Sequence, residues 1–419
     1  MDPTAAARTL VPGQDLTFME GVQYVYHCHH YNLFHDQTID DALGEEEGLE
    51  VRTKAAHSAF AQLFGALAAA TKPETDAERL QIAQTVFPWM GHGNLSFDLN
   101  GKDGRVEGEH LHYGYTWKEK YGKKVRRLFP ADAVASGSAA AASELAMEQS
   151  TGSLRATETA CIAMRDPRCQ FEVTETEVAN LQHDVGLAEA TPHMGATFGG
   201  LDEERVSEIA GGLQGFVKGV AGDDRGLVQA FGIYITMHLS SYYNETAFEM
   251  MRIVQENHPE RVALAEGLLR EAGHVCVFNT FGNILMSPEW EGMVGPLSSR
   301  VEDLVPFCCS IARGLGFGHW TVAELEPDKR LVLRAPCDYE SPFFLARYGQ
   351  SEVPRCYFFQ GAALAFMVLA HMVKWDARPE LTQDLYNRLF RSGRLPWKVE
   401  QTRCPTRGDD YAEAVVTAC

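Results

Sequence analysis

The most chemically loaded stretch of the chain is 157–173. It carries Glu158, then Cys161 three residues on, then Cys169 eight residues beyond that. Between the thiols, Arg165-Asp166-Pro167 is a polar turn that can fold the second cysteine back toward the first. Two thiolates and a carboxylate suit a borderline-soft tetrahedral ion such as Zn²⁺. The same spacing also fits two buried cysteines on a hairpin. A second candidate is histidine-based. Eight of the fifteen histidines precede residue 113, most densely in Tyr26-His27-Cys28-His29-His30-Tyr31-Asn32-Leu33-Phe34-His35-Asp36. Read as a strand, His27 and His29 share one face, and Cys28 and His30 the other. His110-Leu111-His112 lies in an alternating run, so those two imidazoles also share a face. Two such pairs on adjacent strands make a transition-metal site with open positions, an arrangement that activates water or O₂. His30, His110 and His112 are then the candidate catalytic residues. His57, His92 and Asp36 are further members, and Asp36 and Glu109 are the nearest carboxylates for the second ring nitrogens. Two other readings compete: pocket-lining imidazoles, with or without acid–base work, and no shared role.

The elements that must position these residues fall into two related halves. Residues 95–99 resemble 320–325, each followed by a charged turn and a second strand-like run, 105–115 and 330–339. Lys120-Tyr121-Gly122 matches Arg347-Tyr348-Gly349, and an Ala-rich helix pattern follows from Gly137 and from Gly361. Gly93 to Gly137 is 44 residues and Gly318 to Gly361 is 43, a near-equality that argues for duplication. Upstream, 24–38 resembles 232–246, with His30 opposite His238. A period near 200 residues means duplicated domains rather than a solenoid. The expected division is a first domain over 1–178, a linker over 179–204 and a second, degenerate domain over 205–419. Apolar residues at helical spacing predict helices over 53–70, 202–220 and 260–272. Hairpins followed by helices point to an α+β fold: two tandem domains, each an antiparallel sheet packed with helices and closed by a cysteine-bearing tail. Gly314-Leu315-Gly316-Phe317-Gly318 precedes a strand rather than a helix, so it reads as a turn and not a dinucleotide site.

Composition narrows the partners. Against 37 basic residues stand 57 acidic ones, a formal net charge of −20. A surface that acidic repels phosphate backbones and anionic lipid, so neither nucleic acid nor a membrane is an expected partner. Residues 1–16 have no apolar core of the signal-peptide kind. The longest apolar run, 361–373, is broken by His371 and reads as a buried helix. A cytoplasmic, reduced protein is the expectation, its ten cysteines serving as core fillers, metal ligands or thiols. No nucleophile elbow, Walker loop or cysteine-protease signature is present.

The 158–173 segment resembles the end of the 4-vinyl-reductase-like, hydrocarbon-binding domain. That family includes the sensor domains of phenol- and toluene-responsive transcription activators. The family tail reads Glu-x-x-Cys, seven residues with a Gly-Asp turn, then Cys with an aromatic and a β-branched residue after it. Glu158, Cys161, Cys169, Phe171 and Val173 fit, and Asp-Pro stands where Gly-Asp is usual. The resemblance implies a structural zinc whose fourth ligand lies five residues before a helix glycine. Counting back from Gly137 gives Asp132, a departure from the family's cysteine, and counting back from Gly361 gives Cys356. The implied ligands are Asp132, Glu158, Cys161 and Cys169. The second-half tail is degraded, with Cys404 retained and Ala412 where the last cysteine belongs. By resemblance the protein is a sensor or carrier for a small hydrophobic or aromatic molecule, built as an intramolecular pseudo-dimer that can itself pair. The competing reading is a metalloenzyme using the first-half histidines and a second transition metal.

Overall fold

The computed structural model describes residues 6, 8–11, 13–100, 103–122, 124–177, 181, 198–336 and 338–419. Most of the expected linker, at 179–180 and 182–197, lies outside the described residues. The fold is α+β, with helices packed on three antiparallel sheets among the described residues. No helix among the described residues is long and apolar enough to cross a membrane.

The strands are β1 (Arg8–Val11), β2 (Leu16–Met19), β3 (Val22–Cys28), β4 (Ser96–Asn100), β5 (Asp103–Gly108), β6 (Leu154–Ala160) and β7 (Cys169–Glu175). They continue with β8 (Val228–Ala230), β9 (Ile233–Leu239), β10 (Thr321–Glu326), β11 (Arg330–Ala335), β12 (Trp397–Arg403) and β13 (Ala412–Ala418). Two outer sheets repeat one plan, β4-β5-β7-β6 and β10-β11-β13-β12. Even the bulge is repeated, between Glu158 and Ala160 in one and between Gln401 and Arg403 in the other. Each sheet is paired with a central helix, Ala133–Ala146 or Tyr357–Met372. A Cβ at Gly137 would overlap the backbone nitrogen of His57, and one at Gly361 the carbonyl of Arg270. Glycine is required there because two helices cross with backbones nearly touching.

The third sheet, β1-β2-β3-β9-β8, joins the halves through β3 and β9. Its hairpin turns are Glu20-Gly21 (φ 48° and 81°) and Phe231-Gly232 (φ 54° and 73°). Positive φ at both positions gives the turn whose twist matches the strands. The second turn separates β8 from β9, and no Asn-Gly or Asp-Gly signal marks it. In the β3–β9 register, Val25 faces His238 and His27 faces Thr236. These pairs exchange under the same 211-residue offset that relates Gly21 to Gly232. His27 is therefore the counterpart of His238, and the His30–His238 match is corrected. Each central strand is also held by the opposite half: Tyr26 N donates to Leu315 O (3.0 Å) and Met237 N to Met90 O (2.9 Å).

Two further expectations change. β3 stops at Cys28 and a helix, His29–Leu43, begins at once, so His27 and His29 do not share a strand face. β5 stops at Gly108, and His112 opens the helix His112–Tyr121 rather than sharing a strand face with His110. In both places, alternation over a few residues is too short to separate strand from helix.

Candidate functional site

Asp132, Glu158, Cys161 and Cys169 are all buried and bring one ligand atom each within 4.8 Å of one another. Asp132 flanks the start of its central helix, and Glu158 and Cys161 lie at the end of β6. A short turn ending at Arg165 (φ 76°) then returns Cys169 on β7. Cys161 N donates to Asp166 Oδ2 (2.8 Å), which holds that turn closed. Ala131 N donates to Cys161 Sγ and Ile162 N to Cys169 Sγ, both at 3.4 Å. Such N–H···S bonds stabilise thiolates as ligands. Gly114 N donates to Asp132 Oδ2 (3.0 Å), and a Cβ at Gly114 would sit 2.5 Å from that oxygen. Glu158 Oε1 is buried with no hydrogen-bond partner among the described residues. A borderline-soft divalent cation fits this donor set and uses the unpaired carboxylate oxygen.

Without a cation the four acids compete. Burial raises the Asp132 carboxyl to about 7 and also raises Glu158 well above the usual carboxylate range. A hydrogen bond from Cys169 lowers Cys161 to about 6, and the same interaction pushes Cys169 up. This gives a pH signature. In metal-free protein the Asp132 contribution is complete below its unfolded value near 3.8 and is lost as pH rises through about 7. In metal-loaded protein, protons displace the ion, so stability is lost as pH falls. Melts of chelated and metal-loaded protein at mildly acid and mildly alkaline pH should therefore trend in opposite directions.

A second cluster lies where the halves meet. His92, flanked by Gly91 (φ 90°) and Gly93 (φ 99°), stacks on Phe87 at 5.0 Å and meets His238 edge-on at 4.9 Å. His112 lies 6.4 Å from His92, centroid to centroid. Asn32 Nδ2 donates to His112 Nε2 and to Thr236 Oγ1, both at 3.0 Å, while Tyr243 OH donates to Asn32 Oδ1 (2.6 Å). Tyr113 OH donates to His238 Nε2 (3.0 Å). Burial lowers His92 to about 3, and lowers His112 and His238 well below the usual range, so all three rings are neutral. The bonding pattern assigns the tautomers. His92 Nε2 must donate to Met237 O (3.3 Å), which leaves Nδ1 a bare acceptor. His112 Nε2 accepts from Asn32, which leaves Nδ1 a donor. Both Nδ1 atoms are buried without a partner among the described residues.

The pseudo-symmetric position in the second half is filled differently. There His27 stacks on Tyr31 (3.7 Å) and Phe317 (4.7 Å), with Tyr339 and Phe358 edge-on. Gly316-Phe317-Gly318 repeats Gly91-His92-Gly93, with phenylalanine in place of the histidine.

The other sequence-selected histidines separate. Among the described residues, His30, His110 and His112 do not form a metal-holding group; the sole such group is the Asp132 set. His30 is half-buried beside His29 (3.9 Å between rings). His110 is half-exposed beside Tyr115 (5.4 Å). His57 bonds Glu144 (2.7 Å), and His35 bonds Thr246 (2.8 Å). Among the described residues Asp36 serves no imidazole: it accepts from Arg52 (2.9 Å) and Tyr242 (2.6 Å). Glu109 lies 3.7 Å from Arg168. No motif or spacing in the sequence marks Asn32, Tyr113 or Tyr243 for this cluster. The glycine-flanked His92, matched to Phe317, is the sequence signal that points to this cluster.

No family model and no curated protein matches the chain. Among solved structures, it is similar to the phenol-responsive sensory domain of the transcription activator PoxR with phenol, at 16% identity and a TM-score of 0.32. The match covers 42% of this chain and 86% of that one.

Proposed function

We propose that the chain binds a small, mostly apolar molecule bearing a hydroxyl group at the His92–His112 cluster, as a sensor or carrier. The observation that carries this reading is the pair of buried, unspent ring nitrogens, one an acceptor and one a donor. A hydroxyl both donates and accepts, so its chemistry matches this acceptor–donor pair. Each nitrogen left unsatisfied costs about 1–3 kcal/mol. The neighbours Phe60, Phe87, Tyr113 and Tyr242 favour an aromatic body for the ligand. Under this reading a zinc ion at Asp132, Glu158, Cys161 and Cys169 is structural. It pins the tail hairpin to the central helix, and its chemistry is coordination only. The division into domains over 1–178 and 205–419 is part of the same proposal. The two halves act as an intramolecular pseudo-dimer, because β9 of the second half supplies His238 to the first half's site. The resemblance to hydrocarbon-binding domains agrees with this class of ligand.

Calorimetric titration of the full chain with phenol and with toluene tests the reading. Phenol should bind, and toluene, which lacks the hydroxyl, should bind at least about tenfold more weakly. His92→Ala with His112→Ala should erase that preference while leaving metal content unchanged. Equal binding of both probes, or a preference that survives the double substitution, contradicts the assignment.

A further inference from the structure

The tail turn of the first half recurs in the second with its ligands exchanged. Cys404 N donates to Asp409 Oδ2 (2.8 Å), as Cys161 N does to Asp166. Gly408 (φ 88°) closes the turn where Arg165 closes the first. In the sheet register, Gln401 faces Ala414 as Glu158 faces Phe171. Equivalence then places Gln401 at Glu158, Cys404 at Cys161, Ala412 at Cys169, and the helix-flanking Cys356 at Asp132. The donor set of two carboxylates and two thiols has become two thiols and an amide. The amide is committed elsewhere, since Gln401 Oε1 accepts from Gln360 (2.8 Å). Cys356 Sγ and Cys404 Sγ lie 3.1 Å apart, both fully buried. No metal-holding group of three forms around them among the described residues.

We propose that Cys356 and Cys404 form a reversible disulfide, which takes the place of the metal as the pin of the second tail. The oxidant is a peroxide, small enough to reach a buried pair. Cys404 Sγ attacks a peroxide oxygen, the O–O bond breaks, and a sulfenic acid and water result. Cys356 Sγ then attacks the sulfenic sulfur, the S–S bond forms, and the hydroxyl leaves as a second water. Two thiols lose two protons and two electrons, and one hydrogen peroxide becomes two waters. Cys404 is the better first nucleophile. Its sulfur is hydrogen-bonded with Thr406 Oγ1 (3.0 Å), and although burial raises the thiol, hydrogen bonds with Cys356 and Thr406 bring it down to about 7. The bond would tie the Tyr357–Met372 helix to the tail, as the ion ties the Ala133–Ala146 helix in the first half.

The test uses the reduced full chain treated with hydrogen peroxide, then unfolded in acid, alkylated and digested. The expected product is a peptide pair linked through Cys356 and Cys404, lighter by two hydrogens and separated by dithiothreitol. The oxidised chain should melt about 2–4 °C higher than the reduced one. Cys356→Ser and Cys404→Ser should each abolish both the linked pair and the shift. Peptide mapping of the unmutated chain decides the matter even if a variant misfolds. Recovery of both cysteines alkylated after peroxide overturns the proposal. So does a second metal equivalent that Cys356→Ser removes, because the pair is then a metal site.

Discussion

Serine at Cys161 or at Cys169 is expected to abolish the metal binding proposed for that cluster and to lower the melting temperature. Coordination free energy is folding free energy, because the unfolded chain holds no such site. Both thiols are fully buried, and the ring of ligands joins the flank of one helix to two strands. Serine leaves a neutral hydroxyl against three acidic neighbours, which a divalent ion no longer balances. The loss is on the order of 4 kcal/mol or more, a drop of about 4–5 °C for a chain of this length. Cys404→Ser in the reduced chain should remove no metal. Elemental analysis of the purified variants, with calorimetric melts of the same samples, reads both effects. Retention of metal and melting temperature by both first-half variants would remove the metal centre from this account.

The second large effect belongs to Asp40. Its carboxylate accepts from Arg52 Nε (3.1 Å) and Nη2 (2.7 Å) and also receives Arg127. Arg52 reaches on to Asp36, and Asp36 to Tyr242 of the second half. All four ionised groups are buried. This network fixes the His29–Leu43 helix, and hence Asn32, which hydrogen-bonds His112. Asp40→Ala leaves two buried guanidinium groups with one carboxylate, so about 3–5 kcal/mol of stability should be lost. Asp76→Ala, which removes an exposed partner of Arg79, should cost under about 1 kcal/mol. Guanidinium unfolding of the two variants beside the parent gives both numbers. Equal losses would show that the buried network does not hold the helix.

Much of the architecture is legible in the sequence because duplication supplies an internal comparison. The near-equal spacings, Gly93 to Gly137 and Gly318 to Gly361, each run from a glycine at positive φ to a helix crossing where only glycine fits. Of the apolar run 361–373, residues 361–370 are the buried core of the Tyr357–Met372 helix, and Met372 is exposed. Asp132 is placed in the buried cluster by its distance from a helix glycine in the resembled motif, with no local signal, since an aspartate before a helix is ordinary. What stayed hidden has physical causes. His27 and His238 correspond through two tight turns that contain Glu20 and Phe231, residues rarely found at positive φ. Strand alternation suggested that His110 and His112 share a face, but the chain enters a helix between them. The site itself is assembled across the halves: Asn32 and Tyr243 are each other's symmetry counterparts and meet in one hydrogen bond. No pattern within either half announces that contact.

The central claim is a metal-pinned site, shared between the halves, that receives a small hydroxylated apolar molecule. Native mass spectrometry of the full chain, loaded with zinc and then exposed to phenol, tests it most directly. The account predicts one zinc and one phenol per chain, with the phenol lost and the zinc kept when His92 and His112 are both alanine. A chain that takes up phenol only when zinc is removed, or holds zinc through the two histidines, would contradict it.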